Sequence, residues 1–148
     1  MPKIFSSTKR AYLAGFLDGD GSIYVRLKQN SGYRYGFQVA PYVVFFQSQK
    51  ERRRFKKICF LLGMGYLRER NDGILEYVIN RKEEIRNFLG QVKSHLILKR
   101  KQAELMLEIL AKKEKIKTKA DFNQLARLVD KFRELNYSKK RKRYKLTL

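Results

Sequence analysis

The apolar positions of this chain change period several times, and each change marks an element. Between Lys9 and about Gly19 they recur at helical spacing, preceded by Ser6, Ser7 and Thr8 as caps. From Gly21 the period drops to two. Ile23, Val25 and Leu27 share one face of a strand, while Tyr24, Arg26, Lys28 and Asn30 share the other. Ser31-Gly32 interrupts it, and extended character resumes from Tyr35 to Gln47, with Pro41 predicting a bulge or an unpaired edge position. Lys50–Leu62 reads as a helix with a stripe of Phe55, Ile58, Cys59 and Leu62, closed by Gly63. Tyr66–Arg70 and Ile74–Asn80 form a hairpin about Asn71-Asp72-Gly73, with Tyr66, Arg68 and Arg70 on one face and Leu67 on the other. Helices follow at about Lys82–Val92, Leu98–Glu114 and Thr118–Asn136, the last with Phe122, Leu125, Val129 and Phe132 at core spacing.

Helix, two strands, helix, two strands, then helices: this order predicts an α+β fold, an antiparallel four-stranded sheet with helices on one face. No repeat, linker or low-complexity block divides the 148 residues, so a single domain spanning 1–148 is expected, with a basic tail from about 137.

Charge decides what the uncovered sheet face meets. Thirty-five Lys and Arg against fourteen Asp and Glu leave +21, which favours nucleic acid first and an anionic membrane surface second. No apolar run is long enough to span a bilayer, so no membrane partner is expected. Met1 to Arg10 has no apolar signal-peptide core, so an intracellular location is expected. The lone Cys59 and lone His95 exclude an internal disulfide and a zinc site built from them.

The candidate reading face carries Tyr24, Arg26, Lys28, Asn30, Gln38, Tyr42, Tyr66, Arg68, Arg70 and Glu76, joined by Tyr33 and Arg34 at the hairpin tip and by Lys139, Lys140 and Arg141 in the tail. Mixed donors and acceptors suit major-groove base edges, whereas phosphate binding alone requires only positive charge. An ordinary solvated sheet face is the alternative. Val44 and Phe46 share the even-numbered face and suit thymine methyls or packing beneath a loop. Strands of about ten residues reach ~33 Å, close to one turn of B-DNA, and two such sheets would cover ~20 base pairs of a pseudo-palindrome. The deep, narrow major groove of RNA would not admit such a sheet.

The densest chemistry lies at Leu13-Ala-Gly-Phe-Leu-Asp-Gly-Asp-Gly21. Ala11, Gly15 and Gly19 form a helical stripe almost free of side chains, suited to close approach of a second helix. Asp18 and Asp20 fall at the negative end of that helix, where carboxylates are disfavoured unless something such as a divalent cation offsets them. Asp-Gly-Asp-Gly is also ordinary turn chemistry. An EF-hand fails, since Ile23 and Gln29 stand where glycine and glutamate are required.

These residues resemble the signature of the LAGLIDADG homing endonucleases, matching at Leu13, Ala14, Gly15, Asp18, Asp20 and Gly21. One copy in the chain resembles the single-motif, homodimeric branch, and the likeness extends from about Thr8 to about Ala111. The resemblance implies a homodimer that cuts both strands of a long pseudo-palindromic DNA site by metal-dependent hydrolysis, leaving short 3′ overhangs, and is encoded by a mobile intron. It also implies a saddle-shaped sheet. With the stripes of two chains in contact, both Asp20 carboxylates come near a twofold axis, where each, with the Gly19 carbonyl, offers hard oxygen ligands to Mg²⁺, Mn²⁺ or Ca²⁺ substituting in binding. The contact between chains is expected to use Ala11, Tyr12, Ala14, Gly15, Asp18 and Gly19, with Asp18 structural. No small-molecule cofactor is expected. By local match, Gln47 resembles a water-positioning residue, Arg52 a basic active-site element whose register is open by one, and Lys99 a lysine near the scissile phosphate. For each, simple phosphate contact or solvation is the alternative. A non-cleaving DNA-binding regulator or an RNA-splicing maturase of the same fold is the competing function, and Asp20 is what separates them.

Overall fold

A computed structural model describes residues 3–136, so Lys139, Lys140 and Arg141 lie outside the described residues. The elements are α1 (Ser7–Asp20), β1 (Gly21–Gln29), β2 (Phe37–Ser48), α2 (Arg52–Leu62), β3 (Tyr66–Glu69), β4 (Ile74–Ile79), α3 (Lys82–Val92), α4 (Arg100–Lys113) and α5 (Lys119–Leu135). The four strands form one antiparallel sheet in the order β1-β2-β4-β3. No helix among the described residues is long and apolar enough to cross a membrane.

Period-two alternation sorts the sheet into two faces. Ile23, Val25, Val39, Val43, Phe45, Leu75, Tyr77 and Ile79 join the core beneath Leu13, Ala14 and Leu17 of α1 and Ile85, Phe88 and Leu89 of α3. Phe16 stacks on Phe45, and Phe45 meets Phe88 edge-on. The helices therefore cover one face only, as the element order predicts.

Pro41 meets the second of its two expectations, an unpaired edge position, and not the first. It pairs with Val25 in an unbroken ladder with no bulge, and β2 is a central strand. Its position is tolerated because β4 pairs with β2 only from Val43 onward, so beside Pro41 one edge of β2 is open. The β1–β2 hairpin is longer than the period suggested, because Tyr35 stacks on Phe122 of α5 and Gly36 adopts a positive φ of 80° before β2 begins. The start of α4 also shifts, from Leu98 to Arg100. The backbone N–H groups of Ile97 and Lys99 donate to Asp18 rather than entering a helix.

The ends of α5 follow the sequence closely. Thr118 accepts from Asp121 N–H, and the Asp121 carboxylate accepts from Lys117 and Thr118 N–H, a capping box. Those bonds hold the Asp121 carboxyl below its usual range. At the other end, Asn136 donates to the Ile23 carbonyl at 2.9 Å, tying α5 to β1.

Replacing Thr118 by Ala should cost about 1 kcal/mol in thermal or denaturant unfolding. A carboxyl whose folded pKa is lowered stabilises above its unfolded value of 3.8 and loses that contribution as pH falls through the lower folded value. Asp121→Asn should accordingly flatten the fall of melting temperature below about pH 4, which melts across that range will check.

Candidate functional site

The last turn of α1 passes into β1 with no intervening loop: Asp20 closes the helix and Gly21 opens the strand in extended conformation. Only glycine fits that junction, since a β-carbon at Gly21 would come within 2.9 Å of the Leu17 carbonyl oxygen and closer still to its side chain. Asp20 is thus held by two regular elements at once.

Four carbonyls at a helix end lack intrahelical donors. Here the Leu17 carbonyl accepts from Gly21 N–H and the Asp18 carbonyl accepts from Lys99 Nζ at 2.7 Å. The Asp18 carboxylate in turn accepts from Ile97 N–H at 2.8 Å and Lys99 N–H at 3.0 Å. Asp18 and Lys99 therefore clamp the end of α1 to the segment leading into α4. No hydrogen bond or ion pair engages the exposed carboxylate of Asp20 among the described residues, and the Gly19 carbonyl keeps no backbone donor.

The strand register brings further side chains to this end of the sheet. Gly21 pairs with Phe45, so Gln47 lies two residues beyond, level with the helix–strand junction. Its Oε1 accepts from Ser48 N–H at 3.0 Å. Gln47 pairs with Leu75, which pairs with Glu69. Glu69 holds the guanidinium of Arg52 at 2.6 Å, so Arg52 is engaged rather than free. Glu69 escaped the sequence reading, although its place between Arg68 and Arg70 sets it on the opposite side from both.

One chain alone does not enclose an ion. Among the described residues no three His, Cys, Asp or Glu side chains converge. The donors that are available, an unpaired carboxylate and a carbonyl oxygen, are of the hard type that suits Mg²⁺ or Ca²⁺, and by themselves are too few to fill its shell.

Beside this end runs an exposed, nearly side-chain-free stripe. Ala11, Gly15 and Gly19 are exposed, and a β-carbon at Gly15 or Gly19 would meet nothing within 4 Å. Two helical glycines cost roughly 1 kcal/mol each relative to alanine, and nothing inside the chain requires them. Tyr12 is 52% exposed, and Ile97 and Leu98 are 85% and 71% exposed beside Asp18. Ile97 and Leu98 were also missed, although three successive apolar residues at 96–98 are a visible signal. Ala14 requires a correction: expected at the contact between chains, it is fully buried in this chain's own core with Leu13 and Leu17. Asp18, expected to be structural, spends both carboxylate oxygens within its own chain.

The uncovered face of the sheet has a definite construction. Ala40, Val44 and Val78 are buried yet lie outside the core cluster, forming an apolar floor on this side. Val44, at 1% exposure, is part of that floor and unavailable for a base contact. Across the floor Tyr24 and Tyr42 stack at 4.9 Å, with the Arg26 guanidinium 5.3 Å and 5.9 Å from their centroids and Lys28 Nζ 5.3 Å from Tyr42. Arg70 is held by Asp72 at 2.6 Å and Glu76 at 3.5 Å, whereas no hydrogen bond or ion pair holds Arg68 among the described residues. The Asn30 side-chain oxygen accepts from Gly32 N–H, closing the hairpin turn that carries exposed Tyr33 and Arg34. Gln38 pairs with Lys28, and Tyr66 with Val78.

A LAGLIDADG endonuclease family model matches residues 13–107. The DNA endonuclease I-CreI of Chlamydomonas reinhardtii is 38% identical over 134 residues, covering 88% of this chain and 80% of that protein. The DNA endonuclease I-CvuI of Chlorella vulgaris is 35% identical over 133 residues, covering 90% and 83%. A crystal structure of the homing endonuclease I-CvuI in complex with its target, in the presence of 2 mM Ca, superposes with TM-score 0.85, 34% identity and coverage of 91% and 86%. The archaeal intron-encoded homing endonuclease I-Vdi141I, complexed with DNA, shares the fold at TM-score 0.79 and 23% identity.

The clamp on α1 has a measurable consequence. Asp18→Ala removes an ionised acceptor from two backbone N–H groups and should lower unfolding free energy by about 2 kcal/mol. A denaturant titration that finds no change would show that the clamp does not stabilise the fold.

Proposed function

The chain belongs to the LAGLIDADG endonuclease family, and from that membership and the architecture of its α1 terminus we propose that it cuts double-stranded DNA site-specifically as a homodimer. The observation that carries this reading is the unpaired Asp20 carboxylate on a loop-free junction, beside a glycine stripe that serves nothing within the chain. A chain that only bound nucleic acid would gain nothing from a free carboxylate facing phosphates. The whole chain acts as one endonuclease domain.

In the homodimer, Ala11, Gly15 and Gly19 of two α1 helices pack closely, flanked by Tyr12, Ile97 and Leu98, whose apolar surfaces are otherwise left in water. Both Asp20 residues then face the middle of the bound duplex. Asp20 and the Gly19 carbonyl are the residues that would hold Mg²⁺. When bound there, Mg²⁺ would supply positive charge to the phosphate and acidify water. Gln47, at the end of β2, orients water by hydrogen bonding. Lys99 keeps its ammonium at the end of α1 through the Asp18 carbonyl, where it balances phosphate charge. Arg52 adds a cation fixed in place by Glu69.

The open sheet face lies along the major groove. The Tyr24–Tyr42 stack holds Arg26 and Lys28 over the apolar floor, so these cations meet the duplex with less side-chain freedom left to lose. Arg70, oriented by Asp72 and Glu76, suits bidentate contact with guanine, and Arg68 adapts to base or phosphate. Gln38, Tyr66, Tyr33, Arg34 and the basic residues Lys139, Lys140 and Arg141 extend the contact.

Two outcomes test this. Asp20→Asn should abolish cleavage of a selected duplex in Mg²⁺ while leaving binding within about tenfold, as read by gel assay and titration. Equal cleavage by that variant would refute the role of the carboxylate. Gly15→Leu should leave the melting temperature of the chain nearly unchanged yet shift sedimentation from dimer to monomer; a dimer of unchanged affinity would overturn the helix-to-helix interface.

A further inference from the structure

At the end of α1 remote from Asp20, an open groove of about 470 Å³ is lined by Lys3, Lys9, Lys56, Phe60, Leu61 and Tyr77. Lys9 and Asp20 are eleven residues apart, about 16 Å along the helix axis, so the groove is distinct from the acidic site. Phe60 is 83% exposed although its neighbours Cys59 and Leu62 are buried, and its ring makes no aromatic contact among the described residues. The core stripe of α2 is complete without it.

The charges around this ring are unbalanced. Neither Lys9 nor Lys56 has an ion-pair partner among the described residues, and Lys3 rests its ammonium 5.7 Å from the Phe5 ring. No carboxylate lines the groove; Glu83 and Glu84 line an adjoining hollow beyond Lys3, and burial, with smaller contributions from Cys59 and Glu84, raises the Tyr77 pKa. Lys56 and Lys57 stand four and three residues before Phe60, on its side of the helix, and Arg53 continues the same edge. Like charges at these spacings weaken a helix in isolation. A flexible chain of phosphates would relieve them.

We infer that this groove binds single-stranded nucleic acid, with an unpaired base stacked on Phe60 and adjacent phosphates on Lys9 and Lys56. A ring exposed between cations is the arrangement that grips unpaired strands irrespective of sequence. Duplex DNA is excluded as the ligand of Phe60, because its bases are already stacked on one another. The groove is lined from α1, α2 and Tyr77, whose side chain belongs to the helix-covered face of the sheet, so a duplex on the opposite face leaves it open. The inference stands independently of the cleavage reading.

The test titrates the full chain with labelled oligothymidylate and oligouridylate, alone and with excess unlabelled duplex, by fluorescence anisotropy. The expected result is binding that persists with duplex present, weakens about tenfold in Phe60→Ala, and is retained in Phe60→Trp. Replacing Lys9 and Lys56 by Ala should reduce the salt dependence by about 0.7 per cation. Preference for oligouridylate assigns RNA as the ligand, and preference for oligothymidylate assigns a displaced DNA strand. Unchanged affinity in Phe60→Ala, or full displacement by duplex, overturns the inference. Phe60 is exposed, so neither variant disturbs the core.

Discussion

A helix that becomes a strand without a loop is the constraint on which the rest of this molecule depends. Because Asp20 ends α1 and Gly21 begins β1, the carboxylate inherits the rigidity of the core on one side and of the sheet on the other. Gly21 permits the junction by having no β-carbon to strike Leu17. Asp18 and Lys99 secure it from outside, exchanging carboxylate, carbonyl, backbone N–H and ammonium partners across 81 residues of sequence. Of two acids spaced by one residue, one is consumed in holding the structure and the other is left exposed. Their environments, rather than their residue type, separate those roles.

The sheet separates functions in the same way. Odd-numbered side chains of β1, β2 and β4 build the core, and even-numbered ones face outward. The outward face is not simply polar. Its buried Ala40, Val44 and Val78 form an apolar floor on the face that carries the stacked tyrosines and the cations beside them. Salt bridges and ring contacts restrain Arg26, Lys28 and Arg70, whereas surface charges held only by solvent remain mobile and bind with a larger entropy cost.

Stability and function pull against each other along α1. Glycines at 15 and 19 weaken the helix, and Ile97 and Leu98 expose apolar surface, while the fold of one chain gains from neither. The compensation is strong packing on the opposite side, where Leu13, Ala14 and Leu17 are fully buried. The +21 net charge carries a similar conflict, since repulsion among cations opposes compaction while favouring polyanion partners.

Elements, their order and the sorting of sheet faces were legible from periodicity, because a period of 2 or 3.6 is a local property that burial enforces residue by residue. The α3 boundaries and the Gly63 cap could be read directly, since each depends on neighbours a few residues away. The acidic motif and the basic face were also visible in composition and spacing. What tertiary structure alone decided were partnerships between distant residues: that Asp18 belongs to Ile97 and Lys99, that Arg52 belongs to Glu69, and that Ala14 belongs to the core. Pro41 proved acceptable in a central strand only because of where β4 begins pairing. Such pairings follow from which surfaces meet when helices pack on a sheet, and the spacing along one chain carries no record of that.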